Sequence, residues 1–191
     1  MLSCEVNDDG SLTVRAVPTP LFAQYKRSAR ARRKKWRLDA FFFDEITRRP
    51  CHYCGAEPAR HLSGTGRRLR RIDGARNGVD RVDNRRGYEV DNVAACCWPC
   101  NAAKCTHTPG AFLDHCARLA PFVNGPPAGV DRGRCALCGR KLNAGREALR
   151  YCALCETFAF RDRRQVPPGE IYALAARVVA HQRTSAAHSA P

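Results

Sequence analysis

Eight of the twelve cysteines stand in four Cys-x-x-Cys pairs: Cys51/Cys54, Cys97/Cys100, Cys135/Cys138 and Cys152/Cys155. Two thiolates two residues apart suit one tetrahedral Zn²⁺ ion, and two such pairs complete a closed four-sulfur shell. The spacing therefore predicts two structural zinc sites: Cys51, Cys54, Cys97 and Cys100 in the first, Cys135, Cys138, Cys152 and Cys155 in the second. Cys96 lies beside Cys97, but only Cys97 has the two-residue spacing to Cys100. If Val93 to Cys96 is a strand, Cys96 points away from Cys97 and behaves as a small apolar residue. A closed Cys₄ shell leaves no open position for catalysis. Structural zinc in a small domain contributes on the order of 10 kcal/mol of folding free energy.

Oxygen chemistry lies between the first two pairs. Asp80 offers a carboxylate from the first of two strand candidates, and Asn101 a carboxamide oxygen from the first turn of a helix. Hard divalent ions such as Mg²⁺ or Mn²⁺ prefer oxygen ligands. Phosphodiester cleavage needs such a cation, an activated water and help for the leaving group. Two zinc pairs that joined the Asp80 strand to the Asn101 helix would put both oxygens on one cation. Lys104, three residues beyond Asn101, shares its helix face and is expected to contact phosphate.

The run Asp80-Arg81-Val82-Asp83-Asn84, then Gly87-Tyr88, Asp91-Asn92-Val93 and Cys97-Trp98-Pro99-Cys100-Asn101-Ala102-Ala103-Lys104 resembles the HNH (ββα-metal) nuclease superfamily. It is most similar to phage- and virus-type members. The resemblance covers roughly residues 21–120, including Tyr25-Lys26 and the Cys51-His52-Tyr53-Cys54-Gly55 knuckle. It implies a metal-dependent endonuclease acting on DNA, with Asp80 and Asn101 on the catalytic Mg²⁺ or Mn²⁺ ion. It also implies that Asn92 holds the loop and orients the base. Most HNH sites have His directly after the metal-binding Asp; here that residue is Arg81, which stays protonated and is a poor proton acceptor. Three readings stay open. Asp83 acts as base; or water acidified by the cation suffices, with Arg81 stabilising charge on the phosphate; or catalysis is lost and a zinc-dependent nucleic-acid-binding protein remains.

These groups need positioning elements. Residues 1–20 read as an irregular lead-in and 21–37 as a basic helix facing solvent or nucleic acid. Asp39 is a plausible N-cap before Phe42, Phe43 and Ile46. Residues 55–78, rich in glycine and arginine, read as a basic loop. Val79 to Val82 and Val93 to Cys96 are strand candidates, and Pro99 can sit in the first turn of a helix through Lys104. Thr108-Pro109 starts another helix with a Phe112, Leu113, Cys116, Leu119 stripe; His115 is expected on its surface. The nuclease domain then spans 21–122, with its zinc and ββα core at 51–105. Residues 123–133 read as a linker, and 134–183 as a zinc ribbon of short strands plus a C-terminal helix. Residues 184–191 read as a flexible tail. The fold class is small, zinc-stapled α+β.

The charge agrees with a polyanionic partner. There are 33 Lys+Arg against 18 Asp+Glu, a formal net charge of +15, which favours DNA, with RNA the alternative. Lys and Arg concentrate at 26–37 and 67–76, where they would contact phosphates. No apolar run approaches the roughly 18 residues of a membrane helix, and no export signal is visible. Cysteine-rich zinc pairs without an export signal read as a reducing, intracellular setting, cytoplasm or nucleus, in a cell- or virus-encoded protein.

Overall fold

The computed structural model describes residues 18–59, 74–125, 133–142, 150–161 and 164–188, with shorter pieces at 2–6, 9, 11–16, 62–63, 70–71 and 127. It is a mixed α+β protein that divides into two compact units. The first comprises Met1–Cys51 and Ala56–Cys97; the second comprises His52–Gly55 and Trp98–Pro191. This division differs from the expected boundaries at 122 and 134. The helix expected to close the nuclease domain packs instead on the last helix of the chain.

The first unit opens with an antiparallel hairpin, β1 (Leu2–Val6) and β2 (Leu12–Ala16), in the register Leu2↔Ala16 to Val6↔Leu12. The expected irregular lead-in thus carries two strands: Leu12, Val14 and Ala16 alternate with polar residues, a short signal that is easily overlooked. Helix α1 (Pro20–Ala31) follows, its Thr19 side chain accepting from Phe22 N–H and Pro20 opening the first turn. The basic helix expected over 21–37 stops at Ala31. Arg33 takes a left-handed conformation, φ 53°, and the chain then runs extended beside Tyr88: Tyr88 N–H donates to Lys35 O and Arg37 N–H to Tyr88 O, both at 2.8 Å. Nor is α1 wholly solvent-facing, because Leu21, Phe22 and Ala29 are buried. Helix α2 (Ala40–Thr47) has Asp39 as its N-cap, accepting from Phe42 N–H at 2.8 Å.

A short pair, β3 (Leu62–Ser63) and β4 (Arg70–Arg71), precedes the central hairpin. That hairpin is β5 (Gly78–Arg81) and β6 (Val93–Cys96), antiparallel with Val79↔Ala95 and Asp80↔Ala94. Alternation puts Val79 and Ala95 on one face and Asp80, Ala94 and Cys96 on the other. Val79 and Ala95 join a core with Leu21, Phe22, Leu38, Phe43, Ile46 and Tyr88. Tyr25 pins the strand to the helix: Val79 N–H donates to its hydroxyl at 3.0 Å. Burial pushes the Tyr25 phenol up to about 12, so it stays neutral and keeps this contact across the physiological range.

The second unit begins with α3 (Trp98–Lys104), then α4 (Pro109–Leu119), capped by Thr108 accepting from Ala111 N–H. A single 3-10 turn at Ala120–Phe122 ends it. Among the described residues, the expected ribbon carries no strand between Cys135 and Cys155. Cys152 immediately precedes α5 (Ala153–Ala159), which carries Cys155, and a minimal hairpin, β7 (Phe160–Arg161) with β8 (Arg164–Gln165), follows. The pair Cys152/Cys155 therefore sits at a helix start, where the backbone turns as tightly as in a knuckle. Residues 143–149, expected between the ribbon strands, lie outside the described residues, as do 126 and 128–132 of the expected linker. Helix α6 (Pro168–His188) packs on α4 and runs four residues past Thr184, where fraying was expected. Residues 189–191 are outside the described set. Among the described residues, no helix is long and apolar enough to cross a membrane.

Candidate metal centres and the central hairpin

Two groups of four cysteines meet. The sulfurs of Cys51, Cys54, Cys97 and Cys100 lie within 4.8 Å of one another, all four residues buried; so do those of Cys135, Cys138, Cys152 and Cys155, with Cys138 and Cys152 half-buried. None of these cysteines is in a disulfide. Tetrahedral zinc with Zn–S bonds near 2.3 Å separates its sulfurs by about 3.8 Å; Cys138 Sγ and Cys152 Sγ are 3.9 Å apart. The donor type, number and spacing therefore fit two structural zinc ions. At the second site the thiols compete for protons: hydrogen bonding from Cys138 holds Cys135 below the usual thiol range, while the bond with Cys135 pushes Cys155 up. A dication removes that competition by taking all four as thiolates. Cys97, not Cys96, is in the first group. Cys96 is fully buried on the Asp80 face, its thiol pushed up by its hydrogen bond with Cys51 and by burial.

The second site has a partner that the sequence did not reveal. His115 is 1% exposed, not at the surface. Its Nε2 lies 3.2 Å from Cys155 Sγ, and its Nδ1 3.3 Å from Arg118 Nη2. A guanidinium can only donate, so Nδ1 accepts and Nε2 carries the proton toward the sulfur. Burial, chiefly, pushes the His115 imidazolium pKa down to about 4, which keeps the ring neutral. The ring also meets Phe158 edge-on, 5.1 Å between centroids. Such partners of a ligand typically tune metal affinity by 10–100-fold. His115→Leu is accordingly expected to weaken one of two zinc ions by roughly that factor, about 10–100-fold, in a competition titration against a chromogenic chelator. Equal affinity at both sites would show the contact to be incidental.

Around β5 and β6, Asp80 is 3% exposed, on the face away from the Val79/Ala95 core. The loop between the strands is held from inside by Asn92, itself 1% exposed. Its Oδ1 accepts from Asp83 N–H at 2.8 Å; its Nδ2 donates to Gly87 O at 2.8 Å and to Asp83 O at 3.1 Å. Arg81 serves the same loop: Nη1 donates to Asn84 O and Arg86 O at 3.0 and 3.1 Å, and the guanidinium lies over the Tyr88 ring, 5.3 Å from its centroid. Gly87 is required here, since a Cβ would stand 2.4 Å from Lys35 O.

Asp83 accepts from Arg85 N–H at 2.9 Å and pairs with the Arg85 guanidinium at 3.2 Å. The Arg85 side chain, then its backbone N–H, hold the Asp83 carboxyl below its usual value. That keeps it ionised and makes it a weaker base.

Other expected contacts are placed differently. Asn101 is half-buried on α3, and Lys104 is wholly buried, so its ammonium is not presented at the surface for a phosphate. Trp98 is 44% exposed, whereas Tyr53 is buried against Phe112 at 5.2 Å. Of the basic run 67–76, residues 67–69, 72 and 73 lie outside the described residues. Arg76 is interior: it pairs with Asp44 and donates to Thr47 Oγ1 and Asp44 O.

No family model matches the chain, and no solved structure matches it. Over 99 residues it is 29% identical to an uncharacterized protein of Acanthamoeba polyphaga mimivirus. The match covers 52% of this chain and 16% of that protein.

Proposed function

We propose that the chain is a metal-dependent endonuclease of the HNH type that hydrolyses DNA phosphodiester bonds. The observation that carries this reading is Asp80. Its carboxylate, 3% exposed on the hairpin face away from the apolar core, is an oxygen donor of the kind a hard divalent cation takes. The loop following it is fixed by Asn92, the role that the resembling family gives to its central Asn. The order β5, loop, β6, α3, with Asp80 on the first strand and Asn101 on the helix, also agrees with a ββα-metal arrangement. In this reading Asp80 and Asn101 are the ligands of Mg²⁺ or Mn²⁺, and both offer the oxygen donors such ions prefer. The cation, when bound, supplies positive charge at the phosphate and lowers the pKa of nearby water. Asn92 and Arg81 keep the loop in register, and Asp83 is the weaker of the candidate bases because Arg85 engages it.

That engagement favours the second reading, a zinc-dependent nucleic-acid-binding protein without catalysis. With Arg81 bonded to loop carbonyls and Asp83 to Arg85, neither residue is left poised to take a proton.

Plasmid nicking with added Mg²⁺ or Mn²⁺ separates the two. The parent is expected to nick supercoiled plasmid, and Asp80→Ala and Asn101→Ala to lose about 100-fold or more of the rate while retaining two zinc ions. Nicking that survives both substitutions would remove this site assignment. Intact DNA binding with no nicking in either metal would establish the binding protein.

A further inference from the structure

Helix α1 and the segment after it border an open groove of about 690 Å³, within the range of ligand clefts, roughly 300–1,000 Å³. Phe22, Ala23 and Trp36 give it an apolar lining; Lys26, Arg30, Arg33 and Lys35, all exposed, stand around it. Among the described residues, no carboxylate lines it. Cations surrounding an apolar surface suit a ligand that is anionic along its length and flat at intervals.

Two details narrow the ligand. Trp36 is half-buried, packed by Phe22 at 5.3 Å, Tyr88 at 5.1 Å and Phe43 at 5.8 Å between ring centroids, and its only side-chain donor, Nε1–H, is already bonded to Leu38 O at 2.8 Å. What remains of the indole is ring surface, which recognises by stacking and reads no base edges. The other detail is Arg33. Its N–H donates to Arg30 O and Lys34 N–H to Ala29 O, the double closure in which the left-handed residue is normally glycine. A glycine would end α1 with less strain; the chain instead carries a guanidinium at the groove, in a conformation that side chains rarely adopt.

We propose that this groove binds a single-stranded stretch of DNA, its phosphates among Lys26, Arg30, Arg33 and Lys35 and an unpaired base against Trp36. Bases in a duplex already stack on one another and offer no free face, whereas an unpaired base does. The choice of DNA as the polymer rests on the nuclease reading above; the preference for an unpaired strand rests on the groove alone.

The chain has two tryptophans, so Trp98→Phe leaves Trp36 as the sole reporter. This variant, with its zinc content checked, is titrated without added Mg²⁺ or Mn²⁺ against an oligothymidylate of about ten nucleotides, an abasic strand of equal charge, and a duplex of equal length. Oligothymidylate is expected to quench Trp36 and to bind at least about tenfold tighter than the abasic strand, with the duplex giving no quench. Arg33→Gly is expected to melt no lower than its parent, to bind both single strands more weakly, and to reduce the salt slope by about 0.7. Equal affinity for abasic and thymidylate strands with unchanged Trp36 emission overturns the proposal. So does a duplex that quenches equally, or an Arg33→Gly variant that binds as before. An oligouridylate that quenches as well as oligothymidylate overturns the commitment to DNA. Plasmid nicking without a Trp36 response removes the groove alone; a Trp36 response without nicking removes the nuclease reading alone.

Discussion

Withdrawing zinc is expected to unfold the protein. Structural zinc sites are worth roughly 10–16 kcal/mol at neutral pH, against a total stability of about 5–15 kcal/mol for an ordinary domain. The loss of one ion is therefore comparable to the whole margin. It also leaves sulfurs crowded within 4.8 Å of one another in buried surroundings. Elemental analysis should give two zinc ions per chain. A strong chelator should abolish the cooperative thermal transition and most of the near-ultraviolet circular dichroism, and added Zn²⁺ should restore both. Cys54→Ser and Cys135→Ser should each reduce the content to one ion. A zinc-free protein that melts cooperatively within a few degrees of the parent would contradict a structural role. A parent with one zinc would contradict the second site.

Asn92→Ala is expected to cost about 3 kcal/mol of stability. The side chain makes three hydrogen bonds within the loop and is 1% exposed. Truncation leaves Asp83 N–H and Gly87 O short of partners, and each buried orphan costs about 1–3 kcal/mol. For a chain of this size that lowers the melting temperature by roughly 6–12 °C. Asn92→Asp tests the direction of the bonds. It keeps the acceptor for Asp83 N–H but turns a carboxylate oxygen toward the carbonyls of Gly87 and Asp83, so it should cost as much as alanine. A loss below about 1 kcal/mol in denaturant titrations would mean that Arg81, through Asn84 O and Arg86 O, holds the loop unaided. If the nuclease reading is right, nicking should fall with either variant at temperatures where both remain folded, because the residues after Asp80 lose their support.

What the sequence determined by itself was local. Cys-x-x-Cys spacing named the eight sulfurs that meet in two groups, because two-residue separation fixes the bite of each pair whatever surrounds it. Asp39 was legible as a cap and Thr108-Pro109 as a helix start, since a cap bonds within three residues. The strands at Val79 and Val93 were visible from composition and the turn between them. Everything that depended on a distant partner was decided by the tertiary structure. His115 sits on an amphipathic helix and gave no sign that α5 would bring Cys155 to its ring. Arg76 looked like part of a basic loop until Asp44, 32 residues earlier, drew it inside. Gly87 is needed not for its own turn but because Lys35 O passes 2.4 Å from where a Cβ would be. Arg33 ended a helix that its neighbours' charge pattern would have continued to Arg37. The sequence named the atoms able to bind metal, since ligand chemistry is local. Which polar groups are buried, paired or left facing a groove was settled only by packing, because burial belongs to the whole chain.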